Sequence, residues 1–407
     1  MNFVIYGIFI LTYLLIASRR LRALPIGRPA GALLGAVLMI AVGALSPQES
    51  YAAVNHDTIV LLFGMMLLTV YLERVGFFDW IAQWILGSFG TPWQLLWATA
   101  ATSALLSAFL VNDAVCLFYT PVLLAVCRKS RLPLGPYLIA LATSANIGSA
   151  ATLVGNPQNM IIGSLSGMHF VAFLAYSAPA AVLGLLINIG LLRLYYARRL
   201  PATLANETPP VKINRRRLAI VMGVAAAVIA GFFAGFHLGY TAVAGALVLM
   251  IYERRDSREV FSRVDWPLLV FFCGLFIVVA GLAKTGLMER IWPAAAPHLA
   301  LNNAGGLAWF SLLMTLGSNL VSNVPMVLLT GPYLGNLGAT SLGWVLLAFT
   351  TTIAGNLTLI GSVANIIVAE QAKDVYHLGF WEYLRFGAVS TLLVLAAGVS
   401  VIYLLLG

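Results

Sequence analysis

The chain has 407 residues, 61% of them hydrophobic and only 9% charged, with a formal net charge of +9. That composition excludes a soluble globular domain, and many apolar runs have the length of roughly 17–25 residues that crosses a bilayer core. The basic residues sit in short loops between these runs: Arg19, Arg20 and Arg22; Arg128, Lys129 and Arg131; Arg198 and Arg199; Lys212 and Arg215, Arg216 and Arg217; Arg254, Arg255, Arg258 and Arg263. This placement marks inner loops of a membrane protein and argues for lipid contact and against nucleic acid as a partner.

Short alternating strands are lacking, so the expected class is an all-α polytopic membrane protein rather than a barrel. Segment 2–17 lacks a basic leader region and a small-residue cleavage site, and reads as a retained helix. With the N-terminus outside, it ends inside at the first basic cluster. A helix over 29–46 returns to the loop 47–57, which has no Lys or Arg, and a helix over 58–73 comes in. The run 93–127 is interrupted at Asn112-Asp113 and ends in basic residues, which predicts a re-entrant hairpin. Segment 134–168 carries polar residues, glycines and Asn156-Pro157 in its middle, and predicts a helix broken inside the membrane. A helix over 170–196 then returns to the polar linker 198–216, expected to be cytoplasmic.

The second half runs in the same order with opposite orientation: helices over 217–235, 238–252 and 266–283, a hairpin over 305–338, a broken helix over 342–370 and a last helix over 380–406. The motifs repeat with the order. Residues 152–159 read T-L-V-G-N-P-Q-N and residues 358–365 read T-L-I-G-S-V-A-N. The hairpin tips are V-N-D-A at 111–114 and S-N-V-P at 322–325, followed at equal distance by Pro121 and Pro332. Gly64 to Gly76 is the same interval as Gly274 to Gly286. These matches predict two inverted-topology repeats, 1–197 and 217–407, with both termini outside and one site shared near the midplane, as in secondary transporters.

A broken helix exposes backbone groups and presents opposite partial charges at its two inner ends. Asp113 is the one carboxylate expected near the middle of the membrane. Burial there favours its neutral form, so it could carry a proton or couple an ion; the alternative is a cap for the second hairpin arm. Asn112, Ser322 and Asn323 at the tips, with Ser144, Asn146, Thr152, Asn156, Asn159, Asn356, Thr358, Ser362 and Asn365 at the breaks, are candidates for substrate binding. The alternative for each is interhelical hydrogen bonding. Gly148, Gly155, Gly355 and Gly361 read as residues that permit the breaks. Cys116 could offer a soft ligand, or simply be a small buried hydrophobe. Cys116, Cys127 and Cys273 have no paired spacing, so neither a disulfide framework nor a metal site is expected. No phosphate-binding loop and no hydrolase motif occurs, so the chain is not expected to be an enzyme or to need a cofactor.

Along almost its whole length, through V-N-D-A, S-A-N-I-G at 144–148, T-L-V-G-N-P-Q-N, S-N-V-P and T-L-I-G-S-V-A-N, the chain resembles the ion transporter superfamily. The resemblance is to its arsenite permease and sodium/proton antiporter branch, close to anion permeases with no assigned substrate. Related divalent anion/sodium symporters carry Ser-Asn-Thr at both tips; here the tips are Val111-Asn112-Asp113 and Ser322-Asn323-Val324. The resemblance implies a prokaryotic inner-membrane carrier with an elevator-type motion, a homodimer and, by family analogy, an ATPase partner subunit. The leading expectation is a proton-coupled antiporter that exports arsenite or antimonite. The alternatives are a sodium- or proton-coupled importer of a small organic or inorganic anion, and a sodium/proton antiporter.

Overall fold

The computed structural model describes residues 1–17, 27–201, 203, 213–254, 256–337 and 340–407. Arg19, Arg20, Arg22, Lys212, Arg255 and most of the linker 198–216 lie outside the described residues. Among the described residues there are helices and no strand. The first half contains Asn2–Ala17 (α1), Gly27–Ala41 (α2), Pro47–Ala53 (α3), His56–Arg74 (α4) and Phe77–Ser88 (α5). Pro92–Phe109 (α6) and Asn112–Lys129 (α7) follow, then Leu134–Ser149 (α8), Pro157–Ser166 (α9) and Phe170–Tyr196 (α10). The second half contains Arg215–Phe233 (α11), Leu238–Glu253 (α12), Arg258–Phe261 (α13), Trp266–Ala283 (α14) and Leu287–Ala295 (α15). It closes with Ala304–Val321 (α16), Asn323–Thr330 (α17), Thr340–Ala354 (α18), Val363–Ala372 (α19) and Phe380–Leu406 (α20). Among the described residues, six helices are long and apolar enough to cross a membrane. The protein is an integral membrane protein of helical class.

The elements fall where the polar breaks and caps put them. Thr91 closes a capping box with Gln94 ahead of Pro92, and Asn156 caps α9 with Pro157 at its first position, so both helices begin where proline is tolerated. The interruption at 110–111 separates α6 from α7, Ser322 separates α16 from α17, and 150–156 and 355–362 separate the pieces of the two broken segments.

Two expectations need revision, and two features were not anticipated. Loop 47–57 holds α3, nucleated by a Ser46–Glu49 capping box. The helix expected over 29–46 stops at Ala41, and Gly43 turns the chain with a left-handed φ of +73°. Stretches 77–88 and 287–295 form α5 and α15, too short to register as spans. The matched prolines also differ in effect. Pro121 sits inside α7, whereas α17 ends at Thr330 and the chain continues as a 3-10 helix over Gly331–Leu337 that contains Pro332. A proline removes one i→i−4 bond; in the second hairpin the adjacent Gly331 makes ending the helix the cheaper solution.

Two bodies of helices hold the site. In the first, α4 lies on α12 and α14 lies on α2, with α1 and α11 outside them. Both crossings are set by glycine: a Cβ on Gly64 would stand 2.8 Å from Ala242, and one on Gly274 would stand 2.8 Å from the Ala32 carbonyl carbon. Gly76 and Gly286, with φ of +76° and +68°, turn the chain into α5 and α15. Cross-links between the halves also match, Arg74 with Glu259 and Lys284 with Glu49. In the second body α6 packs on α8, α16 on α18, and α10 on α20, with α7 wedged against α8 and α19.

Candidate functional site

Asn146, on the last turn of α8, is the centre of the buried polar cluster. Its amide donates to Asn356 Oδ1 at 2.8 Å and to Asn365 Oδ1 at 2.9 Å. Its carbonyl accepts from Asn112 Nδ2 at 3.0 Å and from Ser362 Oγ at 3.1 Å. The first tip and both breaks therefore meet at one side chain, which is 1% exposed. Both N–H groups and both lone-pair directions of the amide are used, which is full satisfaction for a buried Asn.

A second cluster stands beside it. Asn156 Nδ2 donates to Thr352 Oγ1 at 3.2 Å and to Ser149 Oγ at 2.9 Å, and Gln158 Nε2 also donates to Thr352 Oγ1, at 3.2 Å. Thr352 occupies in the second half the place of Asn146 in the first, counted from the matching motifs. Asn159 and Asn365 play equivalent parts within their own breaks. Asn159 Nδ2 caps the carbonyls of Ser149 and Thr152 at 3.2 and 2.8 Å, and Asn365 Nδ2 those of Gly355 and Thr358 at 2.7 and 3.1 Å. These are carbonyls that the broken helix leaves without intrahelical partners.

Other candidates bond away from the centre. Thr152 Oγ1 donates to the Ala108 carbonyl. Ser144 accepts from Asn188 Nδ2 at 3.0 Å. Thr358 Oγ1 donates to Asn319 Oδ1 at 3.0 Å, and Asn356, whose Oδ1 belongs to the centre, donates Nδ2 outward to the Thr143 carbonyl at 3.0 Å. None of Gly148, Gly155, Gly355 and Gly361 takes a left-handed backbone. Each instead allows a close approach: Gly148 to the Ala104 backbone, Gly155 to the Ser149 carbonyl, Gly355 to Ser362 and Gly361 to the Asn319 side chain. Cys116 is buried in α7, and among the described residues no group of three or more His, Cys, Asp or Glu comes together to hold a metal.

The two tips differ. The first is docked: Asn112 N donates to the Gly155 carbonyl at 2.9 Å, and Asn112 Oδ1 accepts from Asp113 N at 2.9 Å. Val111 is the N-cap residue of α7, and no side chain caps it. The Asp113 carboxylate, 4% exposed, accepts no hydrogen bond from the described residues, so it does not cap the arm. The second tip is less engaged. Ser322 sits at φ +70°, ψ 160°, a region that favours glycine, and the buried Asn323 Oδ1 and Ser318 Oγ have no hydrogen-bond partner among the described residues. Beside them is a cavity of about 60 Å³ lined by Arg28, Ser318, Asn319, Ser322 and Val363. The assembly offers neutral amides and hydroxyls from both halves, two open polar atoms, one carboxylate and, at the edge, one guanidinium.

A model described as "Citrate transporter" matches residues 13–354. The chain belongs to this citrate transporter family. It is 33% identical to the silicon efflux transporter LSI3 of Oryza sativa subsp. japonica, over 99% of this chain and 97% of that protein. It is 31% identical to the arsB transporter candidate of Dictyostelium discoideum, over 98% of this chain and 92% of that protein. A 46 kDa membrane protein of Mycobacterium leprae (strain TN) is 30% identical over 98% of each chain. Among solved structures, the YdaH transporter of Alcanivorax borkumensis shares the fold, with a TM-score of 0.56, 15% identity, and coverage of 91% of this chain and 88% of that one. The family member described here is thus a membrane transporter and not an enzyme.

Sequence reasoning overlooked Arg28, Thr143, Asn188, Asn319 and Thr352. Thr352 was findable by extending the repeat alignment six residues back from Thr358. Asn188 joins Thr143, Ser144 and Ser390 Oγ across α8, α10 and α20. It stands in an unbroken helix and has no local signal.

Proposed function

We propose that the protein is a proton-coupled exporter of a small neutral hydroxy acid, of the type to which arsenite and silicic acid both belong. The observation that carries this reading is the chemistry of the central cluster. Asn112, Asn146, Asn356, Ser362 and Asn365 are neutral groups that both donate and accept, and among the described residues no Lys or Arg side chain bonds into them. A polyhydroxylated neutral solute needs such alternating donors and acceptors, whereas a multiply charged anion calls for cations. The names of the two relatives, arsB and silicon efflux transporter, support the same solute type. Asp113, buried and free of a capping role, is the group that would exchange the coupled proton. Two inverted repeats moving hairpins and broken helices past the α2/α4/α12/α14 body are the mechanism we attach to this reading.

The test is arsenite uptake into proteoliposomes under an imposed pH gradient, acid inside, with and without sodium. Sodium-independent uptake that collapses with a protonophore is the expected result, and Asp113→Asn abolishes it while the protein still elutes as a folded species. Full proton-driven uptake by Asp113→Asn would falsify the coupling role.

A second reading, exchange of a small organic anion, is favoured by one observation: Arg28 lines the cavity beside the second tip with Ser318 and Asn319. Citrate that competes with arsenite, and competition that disappears in Arg28→Gln, would establish it. Citrate without effect leaves the neutral solute as the substrate.

A further inference from the structure

Asp113 and Asp265 line one cavity of about 20 Å³, together with Arg263, Met66, Val70 and Ile367. That volume holds about one water molecule. Asp113 is 4% exposed, whereas Asp265 is half-buried at the start of α14. Both residues therefore line one small cavity at the first hairpin tip, with room for about one water.

Asp265 has an evident structural duty. Its Oδ1 accepts from Leu268 N at 3.0 Å and caps α14. That duty does not require a carboxylate. Asn55 stands at the matching place before α4, nine residues ahead of Gly64 as Asp265 is ahead of Gly274, and caps α4 through Thr58 N at 2.9 Å. The hairpins differ in the same sense. The residue after the tip asparagine is Asp113 in the first hairpin and Val324 in the second. Two carboxylates thus share one cavity, and the repeat-matched positions hold two non-ionisable residues, Val324 and Asn55. Capping accounts for Asp265 and Asn55 equally, and so leaves the carboxylate at 265 unexplained.

We propose that Asp265 passes protons to and from Asp113 through the water-sized cavity that both residues line. In the loading step the Asp265 carboxylic acid gives its proton, directly or by way of one water, to the Asp113 carboxylate. Asp265 becomes the carboxylate and takes a new proton from the aqueous phase; in unloading each transfer reverses. Among the described residues, the charged groups whose fields reach Asp113 are Asp265 and Arg28, and the Cys116 thiol lies three residues further along α7. Arg263, on the cavity wall, is engaged by Glu73 at 2.6 Å. Of the other helices against α7, α5 carries Asp79, α4 carries Glu73 and Arg74 at its end, α19 carries the exposed Glu370, α8 carries Tyr137 as its one ionisable side chain, and α6 has none.

This inference rests on Asp113 being the coupling residue, and the experiment separates the two. Asp265→Asn keeps the cap, because Asn is a good N-cap residue and Asn55 already serves so. In proteoliposomes with arsenite as the probe, Asp265→Asn lowers net flux driven by a pH gradient at least tenfold. Arsenite counterflow, which needs no net proton movement, falls less than twofold, and formate or azide restores the net flux. Equal loss of flux and counterflow with no rescue, or wild-type net flux and pH profile, overturns the relay. If Asp113→Asn retains coupling, the underlying reading fails instead. Infrared titration of the purified protein in nanodiscs needs no substrate: the carboxyl band lost in Asp113→Asn shifts its midpoint in Asp265→Asn, and an unmoved midpoint overturns the proposal.

Discussion

Replacing Asn146 tests the cluster most directly. Asn146→Ala removes four buried hydrogen bonds, to Asn112, Asn356, Ser362 and Asn365. Each contributes about 0.5–1.5 kcal/mol net. A water entering the vacated amide volume recovers part of this, which leaves a loss of about 3 kcal/mol. Unfolding entropy of about 2.1 cal/mol/K per residue converts that, for a chain of this length, into a fall in melting temperature of about 3–4 °C. Asn146→Asp is nearly isosteric and should be worse. It keeps the acceptor used by Asn112 and Ser362 but sets an oxygen against the carbonyl oxygens of Asn356 and Asn365. It must also bury a charge or hold an extra proton. Its expected fall is at least twice that of the alanine variant. The assay is thermal unfolding of the detergent-purified protein by intrinsic fluorescence, with size-exclusion chromatography as the control for assembly. If alanine shifts the midpoint by less than about 1 °C, or aspartate is no worse than alanine, the four bonds do not coexist in the buried cluster and the reasoning fails.

Gly64→Leu and Gly274→Leu each wedge a side chain against a neighbouring helix, at Ala242 and Ala32, and should each cost about 1–3 kcal/mol by overpacking. Gly87→Leu, in α5 with nothing within 4 Å, should not lower the melting temperature in the same assay. Ser322→Gly relaxes a φ of +70° and should raise the melting temperature by about 1 °C, whereas Ser322→Ala should not. Glu49, in the short helix α3, is held down to about 2 from its ordinary 4.5, chiefly by the hydrogen bond from Lys284. A lowered carboxylate contributes stability above its ordinary value and loses it as the pH falls through the lowered one, so this contribution disappears between about pH 4.5 and 2. Lys284→Met should raise the Glu49 titration, followed by carbon-13 NMR of labelled glutamate, part of the way to the ordinary carboxylate range, with the Ser46 hydrogen bonds still holding it down.

Much of the fold was legible because its signals are local. Hydrophobic run length marks a span, Asn156-Pro157 restarts a helix in place, and a polar pair such as Asn112-Asp113 interrupts one whatever lies beyond it. Even α5 and α15 had a signal in Gly76 and Gly286, whose equal spacing from Gly64 and Gly274 was visible. They were passed over because a short helix that does not span leaves no hydropathy signature.

The candidate site was legible as a list of residue types at matched places, but not as an arrangement. Asn146, Asn356 and Asn365 were singled out from the motifs, yet the bonds that join them connect residues some 210–219 positions apart. Their pairing follows from how α8 meets the second break. Thr152 and Ser144 carry the same chemistry as the central groups and turn elsewhere, to Ala108 and Asn188. A hydroxyl takes whichever acceptor the packing puts within reach, and sequence does not specify which.

Composition, run length and the repeated motifs by themselves determined that this is a helical membrane transporter with interrupted segments, because each depends on the chain's own local free energies. The tertiary structure alone decided that Asn146 is the shared centre, that the first tip is docked while the second keeps Asn323 Oδ1 open, and that Asp113 and Asp265 line one cavity. Those outcomes depend on distances between residues far apart in the chain. Such distances are set by close packing at positions such as Gly64, Gly148 and Gly274, where a single Cβ would move the helices apart.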